Sequence, residues 1–194
     1  IEEVGFGFCF APTFHPAMKA VAPIRKALGI RTIFNLIGPL ANPAPLTFQL
    51  VGVSEARLLR PMAEALVRLG IRHGMVVRGR DGLDEVTTTA PTEILEVRDG
   101  RLTETPLEPG RYGFAQAALD DLRGGDAARN ARTAQEILRG QASALHDIVA
   151  FNAGCAIYVA DQAGTIQDGI AKAQEVMARR QAWALLEQVK ERMR

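Results

Sequence analysis

The period of apolar and polar positions changes several times along the chain, and each change marks a predicted element. The run "FGFCFAP" (6–12) predicts a short buried strand or extended segment closed by Pro12. Pro16 suits the first turn of a helix, where a missing N–H costs nothing. Ala17, Met18, Val21, Ala22 and Leu28 follow at roughly helical spacing, and Gly29 fits the stop. A second short helix is predicted over "RTIFNLIGPL" (31–40), ended by Gly38-Pro39. The texture then shifts. "FQLVGV" (48–53) is continuously apolar and of strand length. Ser54 can cap a helix with Leu58, Leu59, Met62, Leu66 and Leu69 on one face and Gly70 at its end. "GMVVRG" (74–79) is the next strand. Strand, helix, strand at this spacing is a βαβ unit, which implies parallel pairing.

"DEVTTT" (84–89) and "TEILEV" (92–97) continue as predicted strands. Asp99-Gly100, set between alternating residues, predicts a hairpin with a type I′ turn. Residues 119–125 read as loop or a broken turn, and Asp126 caps a helix ending near Gly140. Ser143 to Val159 predicts a buried helix, with Leu145, Ile148, Val149, Ala156 and Ile157 apolar. "TIQD" (165–168) resembles a capping box before a final helix that runs to the end. No internal repeat or low-complexity segment interrupts this pattern. The fold class is therefore α/β, a mainly parallel sheet flanked by helices, with further helices of a small helical domain. A boundary falls near Pro43 and Pro45. It separates a helical piece from an α/β piece.

Composition narrows the functional classes. The 194 residues are 47% hydrophobic, enough for one real core and part of another domain. Lys+Arg 23 against Asp+Glu 22 leaves a net charge of +1, so bulk charge points to neither nucleic acid nor an anionic membrane. No apolar run approaches membrane-spanning length, and no secretory signal is present. Cys9 and Cys155 both sit in apolar settings, which predicts buried thiols in a reducing, cytoplasmic compartment. The chain opens at Ile1 without Met, and its first residues have the texture of a fold interior; it reads as the C-terminal part of a longer protein.

Local charge is more informative. Between His15 and Pro43 stand Lys19, Arg25, Lys26 and Arg31 with no acidic residue. Arg25 is the best anion-binding candidate, because a guanidinium offers a planar fork to a carboxylate or phosphate and an ammonium does not. Lys19, Arg25 and Lys26 cannot share one helix face, and a solvated face with snorkelling stems accounts for the same cations. In "DGLDEVTTT" (81–89), Asp84 and Glu85 are adjacent carboxylates. On a strand they would point to opposite faces, so the pair does not simply chelate one ion but can serve two ions, or one ion plus its water shell. Mg²⁺ keeps several waters and takes one or two carboxylates alongside substrate phosphates; an acidic loop-to-strand transition is the plain alternative. Gly38-Pro39 and Asn42-Pro43 form a rigid turn that can wall a pocket for a flat ring, or simply stop a helix. His15 before Pro16 is an N-cap or a ligand-facing group. His73 is expected at an exposed strand entrance, His146-Asp147 as an isolated pair, and Asn152 as a satisfied core group. The three His and two Cys lie at no zinc-ligand spacing, and neither a nucleophile elbow nor a phosphate loop occurs. No residue stands out as a general base.

Taken together, "FAPTFHPAMKAVAPIRKALGIRTIFNLIGPLANP" and "GLDEVTTTAPTEI" closely resemble the anthranilate phosphoribosyltransferase family, and the resemblance runs on through "ALHDIVAFNAGCAIYVA" to the C-terminus. It implies a nucleoside phosphorylase/phosphoribosyltransferase-like fold, with residues 1–14 and 44–194 in an α/β domain, 15–43 in a small helical domain, and the active site at the hinge between them. It implies transfer of the ribosyl phosphate of phosphoribosyl pyrophosphate (PRPP) to the amine of anthranilate, releasing pyrophosphate, with Mg²⁺, in a homodimer of tryptophan biosynthesis. On the same ground Arg25 matches the arginine that orients the anthranilate carboxylate. Gly38 and Pro39 match the wall of the anthranilate channel, and His15 a residue near its mouth. Asp84 and Glu85 match the acidic pair that holds Mg²⁺.

The family's glycine-rich PRPP loop, "GTGGD", does not occur in the chain, and "RGGD" (123–126) is only a superficial echo. The chain is thus expected to hold the acceptor side and part of the metal site, and to be inactive alone. A pyrimidine nucleoside phosphorylase, a non-catalytic nucleic-acid-binding paralogue and a pure assembly fragment stand as the rival readings.

Overall fold

The computed structural model describes residues 2–15, 23, 27, 29 and 37–192, in two units, Ile1–Leu46 and Thr47–Arg194. In the first unit a single helical turn covers Ala11–Phe14 and a 3₁₀ turn covers Gly38–Leu40. The helix predicted from Pro16 and most of the one over 31–40 lie outside the described residues. The predicted buried strand at 6–12 is not one. Phe6, Phe8 and Phe10 are exposed, Phe8 by 77%, and Pro12 falls inside the helical turn. A strand needs a neighbour for its backbone groups, and no described strand pairs with this segment. Cys9 is correspondingly exposed, whereas Cys155 is buried as expected.

In the second unit, strands β1 (Phe48–Gly52), β2 (His73–Gly79), β3 (Thr92–Arg98) and β4 (Arg101–Glu104) form one sheet in sequence order. Strand β1 pairs parallel to β2, with Phe48 opposite His73 and Gly52 opposite Val77. The crossover is helix α1 (Leu59–Arg68), entered through a 3₁₀ turn at Ala56–Leu58 and burying Met62, Ala63 and Leu66. The class is α/β as expected, but the sheet is mixed rather than mainly parallel, because β2–β3 and β3–β4 are antiparallel. The second antiparallel pair follows from chemistry already visible in the sequence. A two-residue turn can only return a strand antiparallel, and Asp99 (φ 48°) and Gly100 (φ 77°) take the paired positive φ values of a type I′ turn.

The predicted strand over "DEVTTT" is absent. Its backbone is held by side chains instead of a ladder. Val86 N–H donates to Asn152 Oδ1 (3.0 Å) and Val86 C=O accepts from Asn152 Nδ2 (2.7 Å), while Thr87 N–H donates to Thr92 Oγ1 (3.0 Å). Side-chain partners thus take the Val86 N–H and C=O and the Thr87 N–H that a strand ladder would otherwise use.

Helices α2 (Ala127–Leu138), α3 (Ala144–Val159) and α4 (Ile166–Ala178) start where the caps predict. Asp126 accepts from the Arg129 N–H, Ser143 from His146 and Thr165 from Asp168. Helix α3 buries Ile148, Phe151, Cys155 and Val159, an i, i+3, i+7, i+11 stripe, while Val149 and Ala156 face outward. Phe151 is fully buried between Phe114 (centroids 4.8 Å) and Tyr112 (5.4 Å). Burial of this size stabilises by about 1.5–3 kcal/mol per side chain. Helices α3 and α4 approach closely at two glycines: a Cβ on Gly154 would lie 2.5 Å from Ile170 Cγ1, and one on Gly169 would strike the Gly154 carbonyl. The single final helix expected from the pattern is two, α4 and α5 (Gln181–Arg192). Arg180 adopts φ 56° between them, a conformation that an Arg does not advertise in sequence.

His73 also departs from its expected exposure, being 1% exposed at the start of β2. Its Nδ1 lies 2.8 Å from Asp161 Oδ1 and its Nε2 3.0 Å from Glu96 Oε1. Burial is tolerated because both ring nitrogens find carboxylates. Tyr158 donates to the same Glu96 oxygen (2.9 Å), and Arg72 donates to Asp161 (2.8 Å). The hydrogen bond with His73 is the main cause that holds the Asp161 carboxyl below its ordinary range; burial opposes it and Arg72 adds to it. The cluster ties the end of α3 to the sheet. No helix among the described residues is long and apolar enough to cross a membrane.

Candidate metal-binding loop

Strands β1 and β2 run parallel, β1 ending at Gly52 opposite Val77 and β2 running on two residues to Gly79. In α/β sheets, ligands bind beyond the carboxyl ends of such strands. The loop that leaves β2 there carries Asp84 and Glu85.

Residues 80–91 are not a loose connection. Gly79 N–H donates to the Leu83 carbonyl (2.8 Å) and Arg80 N–H to the Pro91 carbonyl (2.9 Å), closing the loop at its base. Asp81 turns its carboxylate back inside the loop. Oδ1 accepts from the Leu83 N–H (2.9 Å), and Oδ2 accepts from the Thr87 hydroxyl (2.6 Å) and from the Thr89 hydroxyl. Burial pushes the Asp81 carboxyl up, but these hydrogen bonds outweigh it and hold the group below the usual carboxylate range. Helix α3 contributes Asn152, the satisfied polar group the sequence suggested, which grips Val86 at both N–H and C=O and also donates to the Ile148 carbonyl (2.9 Å). Gln116 donates to the Thr89 carbonyl (2.9 Å).

Both strand-end glycines are needed for this packing. A Cβ on Gly52 would fall on the Asp84 carbonyl oxygen, and one on Gly79 would strike the Asp81 carboxylate and lie 2.9 Å from Thr87 Cγ2. The backbone of Asp84 thus rests directly on the end of β1.

The loop leaves the Asp84 and Glu85 side chains exposed. Although Glu85 is exposed as a residue, the surrounding loop partly desolvates its carboxyl, and this, followed by the charge of Asp84, pushes it up. Two hard oxygen donors that repel one another suit Mg²⁺, which takes one or two carboxylates and keeps its other positions for water and phosphate. Among the described residues no cluster of three or more metal-ligating side chains occurs. Two clefts of about 410 and 440 Å³ open elsewhere in this unit, and Asp84 and Glu85 line neither. The Thr88 hydroxyl, in the same loop, is buried without a partner.

Of the other sequence candidates, His15 is half-buried, and Gly38 and Pro39 open the 3₁₀ turn of the first unit. Asn42 Oδ1 accepts from the Ala44 N–H (3.0 Å) just after that turn. Arg25 lies outside the described residues, as do Lys19, Lys26 and Arg31. His146 Nδ1 lies 3.6 Å from Asp147 and has no hydrogen-bond partner. Sequence reasoning missed Asp81, Thr87, Thr89 and Gly52. An Asp followed by Gly was a usable sign of an Asx turn; the role of Gly52 was not visible locally.

Residues 1–183 match the family described as "Glycosyl transferase family, a/b domain". The chain belongs to that family. It is 49% identical over 97% of its length to the anthranilate phosphoribosyltransferase of Clostridium beijerinckii, of which it covers 56%. The anthranilate phosphoribosyltransferase of Thermus thermophilus superposes with a TM-score of 0.90 at 44% identity, over 96% of this chain and 55% of that one. The Saccharomyces cerevisiae enzyme solved in complex with PRPP and Mg gives 0.82 at 28% identity, over 89% and 50%. The chain therefore spans about half the length of the glycosyl transferase family relatives it matches.

Proposed function

We propose that the chain is the acceptor- and metal-binding portion of an anthranilate phosphoribosyltransferase. That enzyme would transfer phosphoribosyl from PRPP to the amine of anthranilate and release pyrophosphate, in tryptophan biosynthesis. The observation that carries the reading is the pinned acidic loop over the ends of the parallel strands, in a chain 49% identical to an enzyme of that name. Asp84 and Glu85 would hold Mg²⁺; when bound, the ion stabilises negative charge that develops on departing pyrophosphate. Arg25 would orient the acceptor carboxylate, with Gly38 and Pro39 walling the anthranilate channel and His15 near its mouth. Orientation is the main contribution asked of these residues. An aromatic amine is already nucleophilic at neutral pH, and no general base is required. Residues 15–43 would belong to a helical domain through which a cytoplasmic homodimer forms. The chain alone would not turn over PRPP, since the glycine-rich PRPP loop that the resemblance implies does not occur in it.

Arg25 provides a direct test in a complete enzyme, made by joining this chain to the N-terminal portion of the Clostridium beijerinckii relative. Losing a charged bidentate hydrogen bond costs about 1.5–3 kcal/mol. Arg25→Ala should therefore raise the anthranilate KM by about 10- to 100-fold while kcat holds. A fall in kcat at constant KM would remove the assigned role.

A further inference from the structure

We propose that Asp81 is a positioning residue for the Asp84–Glu85 pair: it sets the metal affinity of the loop without itself being a ligand. The inference rests on the reading of that pair as a Mg²⁺ site. Its basis is the way the Asp81 carboxylate is spent. Oδ1 accepts from the Leu83 N–H, just before the pair, and Oδ2 accepts from the Thr87 and Thr89 hydroxyls, just after it. One side chain therefore ties both flanks of the acidic dipeptide together. The Thr87 hydroxyl also accepts from the Thr89 N–H (3.0 Å), so the knot includes backbone.

Three further features serve the same geometry. Gly79 leaves the space that the Asp81 carboxylate occupies, and Gly52 leaves the space for the Asp84 carbonyl. Asn152 holds Val86, the residue that follows the pair, by both its backbone groups. What remains free to meet a cation is the Asp84 and Glu85 side chains. Two adjacent carboxylates repel each other, so an unpinned loop would let them swing apart. A carboxylate that orients ligands from behind is the outer-shell arrangement of many metal sites, where losing it costs about 10–100-fold in affinity.

The ¹⁵N-labelled 194-residue chain provides the test, titrated with Mn²⁺ as a paramagnetic probe. In the wild type, Mn²⁺ is expected to broaden the amide signals of Asp84, Glu85 and Val86 first. In Asp81→Asn the same broadening should need about 10- to 100-fold more Mn²⁺, with the signals of Leu66 and Val97 unshifted. Thr89→Val, which removes a hydroxyl, should weaken binding in the same direction, and Thr89→Ser, which keeps it, should restore the wild-type titration. Broadening in Asp81→Asn at wild-type Mn²⁺ concentrations would overturn the proposal and leave the metal site standing. Absence of selective broadening in the wild type would overturn the metal reading, and the proposal with it. If Asp81→Asn does not fold, identical titrations for Thr89→Val, Thr89→Ser and wild type would overturn the proposal.

Discussion

The two cysteines show how burial separates residues of one type. Cys155 is fully buried on α3, and burial pushes its thiol up to about 12. Cys9 is exposed. Only the thiolate attacks a disulfide reagent, and relative to an ordinary thiol near 8.5 the shift lowers the Cys155 thiolate fraction at pH 8 by roughly 10³-fold. One thiol should therefore react rapidly in the native protein, and the second only after denaturation; two fast equivalents would contradict the placement of Cys155. The raised value also fixes a sign. The unfolded thiol ionises first, so this contribution to stability is intact below about pH 8.5 and is lost as pH rises toward about 12. Sequence reading judged both thiols buried because both neighbourhoods are apolar, and apolar neighbours do not say which surface covers them. It failed on His73 for the converse reason: the two carboxylates that allow its burial are distant in sequence, at Glu96 and Asp161.

At the scale of elements, whatever depended on local chemistry could be read in advance. The caps at Asp126, Ser143 and Thr165 and the Asp99-Gly100 turn stand where cap and turn residues put them. The β1–α1–β2 crossover stands as well, but Ser54 does not cap its helix: a 3₁₀ turn at Ala56–Leu58 follows Glu55, and the helix begins at Leu59 with no side-chain cap. What depended on distant partners could not. Residues 84–89 looked like a strand because Val86 and three threonines favour β structure, and Asn152 and Asp81 decided otherwise. The break between α4 and α5 lacks any Gly or Pro to announce it. The fit of strand end to loop leads to a specific expectation for Gly52→Ala. The new methyl group must displace either β1 or Asp84, and overpacking of this kind costs about 1–3 kcal/mol. Urea unfolding of the chain should show a lowered midpoint at unchanged slope; an unaltered midpoint would mean that the loop yields freely.

For the molecule as a whole, fold class and family were legible, because long motifs persist across the chain and 49% identity to a relative follows. The candidate site was legible as a pair of acids, but its construction was not. Adjacent carboxylates read the same on a strand or a loop, and only the folded chain shows the Asp84 backbone seated on the end of β1. The acceptor side rests on Arg25, outside the described residues, and so on resemblance. The most direct measurement is anthranilate consumption with PRPP, followed by fluorescence against Mg²⁺ concentration. It is made on this chain alone, on the complete enzyme described above, and on that enzyme carrying Asp84→Asn with Glu85→Gln. The account predicts no turnover by the chain alone, Mg²⁺-dependent turnover by the complete enzyme, and a Mg²⁺ requirement raised at least about 10-fold in the double variant. Turnover by the double variant at the unchanged Mg²⁺ requirement would contradict it.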